Sequence, residues 1–280
     1  MILMAESLSH IAPPSDALAA VLSRLGPVTL DEMESVKLMN RIDSKYLTDV
    51  RTLLRILDDA AAQGYRALCA DETKLIAYDS VYFDTPDLKM YTDHRNRKLV
   101  RQKVRTRCYL GSGLTFLEIK RKNNHGRTKK KRIRIPSEEL ADFRSNQEAA
   151  AYLAGHSAYT VDRISPELHT CFSRITLVNP EMTERLTIDT NLHFENIRFG
   201  TKADLPDAVI IELKQDGRKA SRMKPILRRH RVKPFRISKY CVAVTLTDPA
   251  ARRGRFKLKI KKIGMVIGHR LKYAFNNQTF

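Results

Sequence analysis

Residues 101–107, RQKVRTR, place Arg101, Lys103, Arg105 and Arg107 at every second position, with Val104 and Thr106 between them. In a strand, residues two apart share a face. Read as a strand, the stretch has one face made only of cations. Neighbouring charges there stand about 7 Å apart and repel by about 2 kcal/mol at an effective dielectric near 20. A fold that keeps such a face has an anion to set against it.

The rest of the chain agrees. It has 280 residues and carries 51 Lys and Arg against 31 Asp and Glu, a formal charge of +20. The pI is near 10.0. That balance points to a polyanionic partner: nucleic acid, polyphosphate, nucleotide or an acidic membrane surface. The length suits one large domain or two small ones. Cys69, Cys108, Cys171 and Cys241 are far apart and form no CxxC pair. This argues against a zinc site or a disulfide framework and fits a reducing compartment. MILMAESLSH has neither a basic n-region nor a long apolar stretch, so no signal peptide is expected. No run of about 18 apolar residues occurs. A cytoplasmic protein is expected, with a possible place at the inner face of the membrane.

Around the opening stretch the pattern predicts a meander of antiparallel hairpins. Strands are expected near 98–109, 114–122 and 129–135, joined by glycine-containing turns at 111–113 and 123–127. Earlier, 15–25 reads as a helix capped by Ser15 and broken at Gly26-Pro27. Residues 37–47 read as a strand, followed by a helix capped by Thr48 or Asp49 and ended by Gly64. IAYDSVYF (76–83) is a β-rich run. Later, Ser137 is placed to cap a helix, 171–178, 184–194 and 207–214 read as strands, and 218–230 and 238–247 as helices. From Ala251 on there are nine Lys/Arg and no acid, which reads as a basic tail. No internal repeat is present.

The strands share one habit. Lys103/Arg105/Arg107, Glu118/Lys120/Lys122, Lys130/Arg132/Arg134, Arg185/Thr187/Asp189 and Glu212/Lys214 make charged faces. Leu117/Ile119, Ile133/Ile135, Leu186/Ile188 and Val209/Ile211/Leu213 make apolar ones. An ordinary sheet with its charged side in water would look like this. So would a barrel with helices outside and a charged tunnel within. Composition favours the first. The single carboxylates among the cations favour the second, since that mixture suits phosphates held together with a divalent metal.

Individual motifs carry less. In LEIKRK (117–122), Lys120 is a point charge for phosphate, and Glu118 is either a metal ligand or the group that orients Lys120. A solvated salt bridge would read the same way. In VIIELKQDG (209–217), Glu212 interrupts an apolar strand and is the best single metal-ligand candidate; a structural ion pair is the bland reading. NRIDSKY (40–46) offers Arg41, Asp43 and Lys45. SRITLVN (173–179) offers Arg174, ERLTIDTNL (184–192) Arg185 and Asp189, and FRISKY (235–240) Lys239. GRTKKKRIR (126–134) could be a localisation signal, a nucleic-acid patch or the mouth of the tunnel. The histidines show no metal-ligand spacing. No P-loop, HExxH or GxSxG occurs, so side chains must hold any phosphate.

Taken in order, SKY (44–46), SVYFDTPDLKMY (80–91), RQKVRTRCY (101–109), LEIKRK, SRIT (173–176), LTIDTNL (186–192), IIELK (210–214) and SKY (238–240) resemble the VTC domain. That is the polyphosphate polymerase module of the vacuolar transporter chaperone complex, in the group of triphosphate tunnel metalloenzymes that includes the CYTH-like proteins. The resemblance covers about 37–247. It implies an α+β fold: an antiparallel barrel of about eight strands around a basic tunnel, with helices packed outside. It divides the chain into a helical lead-in (1–36), the tunnel domain (37–248) and the basic tail (249–280). It implies transfer of the ATP γ-phosphate to a growing polyphosphate chain, with Mn²⁺ or Mg²⁺ bound. Lys45, Arg105, Arg107, Lys120, Arg174 and Lys239 match the family's catalytic cations, and Glu212, with Glu118, its metal-binding acids. Arg95 or Arg97 matches a further arginine, and Arg101, Lys103 and Arg185 are taken as substrate contacts. Where triphosphatase and cyclase relatives carry Glu-x-Glu-x-Lys, this chain has Arg41-Ile-Asp43-Ser-Lys45, which weakens the case for chemistry assisted by two metals.

Two other readings stay open: an inorganic triphosphatase of the same fold, and a non-catalytic protein that binds polyphosphate or nucleic acid. RNA binding is disfavoured because the basic strands show little aromatic residue beyond Phe116 and Tyr109. The tail could meet an anionic membrane or a membrane partner.

Overall fold

The computed structural model describes residues 14–34 and 41–274. Its elements in chain order begin with α1 (Asp16–Ser23), β1 (Gly26–Val28), α2 (Leu30–Glu34), β2 (Arg41–Asp49), α3 (Val50–Ala62), β3 (Arg66–Leu68), β4 (Ile76–Asp84) and α4 (Lys89–Arg95). The meander follows as β5 (Arg101–Tyr109), β6 (Leu114–Lys122) and β7 (Thr128–Ile135), then α5 (Gln147–His156). The remainder is β8 (Ser165–Val178), β9 (Glu184–Asn196), β10 (Thr201–Leu205), β11 (Ala208–Asp216), α6 (Met223–Arg229), α7 (Lys239–Thr247) and α8 (Lys257–Ile267).

Local chemistry accounts for the starts and stops. Asp49, not Thr48, caps α3, its carboxylate accepting from Thr52 N at 2.8 Å. Leu53, Ile56, Leu57 and Ala60 then repeat on the buried side of that helix. The chain leaves α3 through Gly64 at φ +75°, a conformation that costs a glycine nothing. Ser15 caps α1 as expected. Ser137 does not start an α-helix; residues Ser137–Leu140 make one 3₁₀ turn. The helix expected over 218–230 is confined to α6, and the first four residues of the strand expected at 37–47 lie outside the described residues.

One eleven-stranded sheet runs in the order β2-β11-β9-β8-β4-β5-β6-β7, with β1, β3 and β10 paired beside it. Neighbours along that path are antiparallel. The expected closed barrel is not found: among the described residues β2 and β7 end the path and do not pair. The reason lies at the free edge of β2. Pro234 bridges Tyr46 there, and Phe235 N donates to Lys45 O at 2.6 Å, so an extended segment takes the place a closing strand would need.

The sheet is nevertheless strongly curled. In a flat sheet β2 and β5, five steps apart, would be separated by about 24 Å. Yet Phe235 is bound to Lys45 on β2, and Ser238 Oγ accepts from Lys103 Nζ on β5 at 2.8 Å. Three residues of chain reach about 11 Å at most. Curling brings the two ends of the sheet toward each other and makes one face concave.

Two apolar clusters cover the convex face. Ile175, Leu186, Ile188, Val209, Ile211 and Leu213 pack against α1, α3 and α6. Val81, Val104, Leu117, Ile119 and Ile135 pack with Ala149 and Leu153 of α5 and with Phe143. On the concave side α7 is buried along its length from Tyr240 to Thr247 and packs with Leu47, Leu168, Leu192, Phe194 and Ile210. The expected basic tail is also part of this core. Lys257–Ile267 is a helix, and its Ile260, Ile263 and Ile267 join Phe256, Leu271 and Tyr273 in the same cluster. Cations fill its outer positions, which is why it read as a tail.

Candidate functional site

The in-register pairs put the charged faces of the strands on the concave side. Tyr82 pairs with Arg105, Arg105 with Glu118, Arg174 with Asp189, and Glu212 with Lys45. Lys103, Arg105, Arg107, Lys120, Arg174, Lys239, Lys45 and Glu212 are thus gathered in one trough. Helix α7 presents Lys239 to it from its first residue, behind a Ser238 cap.

Three carboxylates organise the cations. Glu118 Oε2 accepts from Arg105 Nε at 2.8 Å, and its Oε1 pairs with Lys130. Asp189 accepts from Arg174 Nε at 2.6 Å and Nη2 at 3.0 Å and also from Lys239. Glu212 pairs with Lys45 at 2.9 Å and Lys214 at 3.4 Å. Burial raises the pKa of all three acids, but the cations outweigh it and hold each well below the usual carboxylate range.

The cations outnumber these anions. Arg107 donates through Nε to Ser80 Oγ at 3.1 Å, and no carboxylate lies within ion-pair distance of it among the described residues. Burial first, then Arg105 and Arg174, bring its guanidinium down to about 10. Lys103 Nζ donates to Ser238 Oγ, its one side-chain hydrogen bond among the described residues, and is lowered by burial. Lys120 has no ion pair among the described residues; Arg105 first and then burial press its ammonium well below the ordinary lysine value. Its side chain is nevertheless open to solvent, as expected of a group standing in a wet recess. Lys239, penalised mainly by burial, falls to about 8.

Beneath the cations lies a floor of aromatic rings that the strand patterns did not reveal as part of the site. Arg107 and Arg174 sit 5.0 and 4.8 Å from the Tyr78 ring, and Lys239 sits 4.1 Å from Phe172. Arg105 lies over Tyr82 and Lys103 over Tyr240. The spacing of Tyr78, Ser80 and Tyr82 in IAYDSVYF was the available signal, since it places all three on one strand face. The Tyr82 hydroxyl reports the field here. Burial alone would raise its pKa, but Arg105, Arg107, Lys103 and Lys239 bring it down to about 8. These rings come from β4, β8 and α7; the basic strands β5–β7 themselves hold only Phe116 and Tyr109. The rings of the floor are buried and already capped by cations, so they are not open stacking platforms.

Other expected contacts lie at the margins. Arg95 donates to Arg252 O at 3.2 Å and Arg97 is exposed at φ +60°, both at the C-terminal end of α4. Arg101 is bonded to Lys98 O at 2.6 Å. Arg185 pairs in register with Lys214. Asp84, which had no assigned role, ties the site together from below. It accepts from the N–H groups of Thr85, Met90 and Tyr91 at 2.7–2.8 Å and from the Tyr240 hydroxyl, joining β4, α4 and α7.

The donor chemistry bears on the metal. Mg²⁺ and Mn²⁺ take hard oxygen ligands, and Mg²⁺ is commonly held by one or two carboxylates plus substrate phosphates. Glu212 fits that use: its side chain is 25% exposed and stands beside the unpaired Lys120 field. Glu118 is fully enclosed, with both oxygens turned to Arg105 and Lys130.

The VTC domain profile matches residues 40–247. The chain therefore belongs to the VTC domain family. No curated protein matches it. Among solved structures, a candidate adenylate cyclase from Bacillus halodurans is 14% identical with a TM-score of 0.47, over 71% of this chain and 94% of its own. A candidate adenylyl cyclase from Hippeastrum, described as having a dominant triphosphatase activity, is 15% identical with a TM-score of 0.45, over 72% of this chain and 94% of its own. At these scores the likeness assigns no activity. Among the described residues no helix is long and apolar enough to cross a membrane.

Proposed function

We propose that the protein is a polyphosphate polymerase, transferring the γ-phosphoryl group of ATP to the end of a polyphosphate chain in the concave trough. The observation that supports it most is the surplus of cations, Lys103, Arg107 and Lys120, which among the described residues stand without carboxylate partners beside ion pairs that fix their neighbours. A surface built this way is incomplete without a multiply charged anion.

The roles follow from which edges of each group are already used. Arg105 spends its Nε and Nη2 on Glu118 and its Nη1 on the Tyr82 hydroxyl at 3.0 Å, so it acts mainly through its charge. Arg174 spends Nε and Nη2 on Asp189 and keeps Nη1 for substrate. Among the described residues Arg107 has only its Nε engaged, which leaves both Nη groups for a fork to one phosphate. Lys45, Lys103, Lys120 and Lys239 are point charges along the chain, and Arg101 and Arg185, with Arg95 or Arg97, meet it outside the centre. Glu212 would hold Mn²⁺ or Mg²⁺; Glu118 would fix Arg105 rather than a metal. The bound ion supplies further neutralisation of the triphosphate. A terminal chain oxygen attacks the γ-phosphorus, the bond to the β–γ bridging oxygen breaks, and ADP leaves with that electron pair. The nucleophile is already ionised, so no general base is needed. Catalysis is positioning and charge stabilisation.

We take residues 37–248 as the catalytic unit and assign peripheral membrane contact to the outer side of α8. There Leu258 and Met265 are exposed beside Lys261 and Lys262. Cutting the chain at Asp248 would remove core residues, so the test is Lys261→Glu with Lys262→Glu and acidic vesicles. Equal binding by both proteins would dispose of the idea.

The main test uses purified protein, ATP and Mn²⁺, with products resolved on a polyphosphate gel and Glu212→Ala as control. Long chains from the wild type and none from the variant are expected. Orthophosphate without chains would replace the polymerase with a triphosphatase. ATP binding with no turnover would leave a binding protein.

A further inference from the structure

The proposed mechanism uses the concave face of β4, β8 and β9 and leaves a second group of reactive side chains on the other face of the same strands. Asp79 on β4 pairs in register with Cys171 on β8, and Cys171 with His193 on β9. His169 precedes Cys171 by two residues and shares its side of the strand. Asp79, His169 and Cys171 are buried, and their ligand atoms all lie within 4.8 Å of one another. His169 Nε2 is 2.5 Å from Asp79 Oδ1, and Cys171 Sγ is 3.5 Å from that nitrogen and 3.9 Å from that oxygen.

We infer that Asp79, His169 and Cys171 are three ligands of a zinc site on the convex face, separate from the site in the trough. The donor set is one thiolate sulfur, one imidazole nitrogen and one carboxylate oxygen, which suits Zn²⁺ and not the hard ions proposed for Glu212. Tetrahedral bonds of about 2.0–2.3 Å put ligand atoms roughly 3.3–3.8 Å apart. The two separations from sulfur are already close to that. The oxygen and nitrogen, drawn together by a hydrogen bond, must part by less than about 1 Å. A cavity of about 20 Å³ adjoins His169 and Cys171 and is lined also by His193, Glu195 and Asp204. That is room for one water as a fourth ligand.

Metal binding at such a donor set displaces the protons that the ligand atoms carry, so affinity falls as pH is lowered.

The sequence carried no CxxC or His spacing because the ligands come from two strands ninety residues apart. The test is titration of the chelator-treated full chain with Co²⁺, a spectroscopic stand-in for Zn²⁺. One ion per chain with a thiolate-to-cobalt charge-transfer band is expected, displaced by Zn²⁺ and retained in Glu212→Gln. Cys171→Ser should abolish the band while circular dichroism stays native. A folded wild type with no thiolate band overturns the inference, as does a band that survives Cys171→Ser. Should that variant fail to fold, X-ray absorption of zinc-loaded wild type decides: a shell without sulfur refutes the site.

Discussion

Replacing Arg107 by methionine should stabilise the protein without ligand and weaken its hold on tripolyphosphate. The reasoning starts from the charge: Arg107 is 5% exposed, and its pKa falls from the ordinary 12.5 to about 10. At neutral pH the group is charged in both folded and unfolded chains, so the whole penalty is present, roughly 3 kcal/mol at 1.36 kcal/mol per unit. Methionine fills most of the volume, removes that penalty and gives up the Ser80 hydrogen bond and the contacts with Tyr78 and Phe172, together about 2 kcal/mol. The net expectation is a gain of about 1 kcal/mol, or about 2–4 °C in Tm for a chain of this size. The same change removes a forked, charge-assisted contact worth about 1.5–3 kcal/mol, so tripolyphosphate Kd should rise about tenfold or more. Differential scanning fluorimetry with and without tripolyphosphate, and calorimetric titration, read both effects. A variant that melts lower than wild type without ligand and shows an unchanged ligand-induced shift would refute the reasoning: Arg107 would then be structural.

Three further outcomes follow from the same contacts. Tyr82 and Lys239 both titrate near 8, one becoming an anion and the other losing its charge, so tripolyphosphate affinity should fall as pH rises from 7 to 9. Both folded values lie below the unfolded ones, so the unfolded chain binds more protons between about 8 and 10 and unliganded stability should rise over that window; Tyr82→Phe should flatten both trends, read by calorimetry and thermal melts. Glu118→Gln leaves Arg105 and Lys130 without their shared carboxylate and should cost about 3–5 kcal/mol in urea denaturation, and a loss below about 1 kcal/mol would remove it as the anchor. Asp84→Ala deprives three N–H groups and the Tyr240 hydroxyl of their acceptor and should lower stability by about 3 kcal/mol or more, against a near-neutral Asp207→Ala control at an exposed position.

Local pattern and long-range geometry divided what could be read beforehand. The β5–β6–β7 meander was legible because apolar and charged residues alternate there between glycine turns, and the cations of those strands do share a face. The Glu118–Arg105 pairing was not, since it depends on register between strands, and register is invisible in either strand alone. The first half of β8 was missed because His169 and Glu167 are polar yet buried, which breaks the alternation that marks a half-exposed strand. Helix α8 was missed because its lysines outnumber the three isoleucines that anchor it. Closure of the barrel failed for a different reason: the edge of β2 is occupied by residues 234–235, a segment with no strand pattern at all.

The ion pairs explain why the trough tolerates its own charge. Glu118, Asp189 and Glu212 each hold two cations, so six of the cations named here are fixed by three carboxylates. Lys103, Arg107 and Lys120 are added to them without an ion pair among the described residues, and each is pushed toward its neutral form. Lys103 on β5 and Lys120 on β6 face each other in register, so one small anion could meet that pair, while Arg107 stands four residues further along β5, about 13 Å away. Only an extended anion reaches all three. Stability gained on binding should therefore grow with the length of the phosphate chain up to the span of the trough and then level off. Ortho-, pyro- and tripolyphosphate and longer chains, compared by thermal shift at equal phosphate concentration, measure that span. A shift that ignores chain length would mean that the surplus cations act one by one, and the trough would then be a set of separate anion sites and not a track for a polymer.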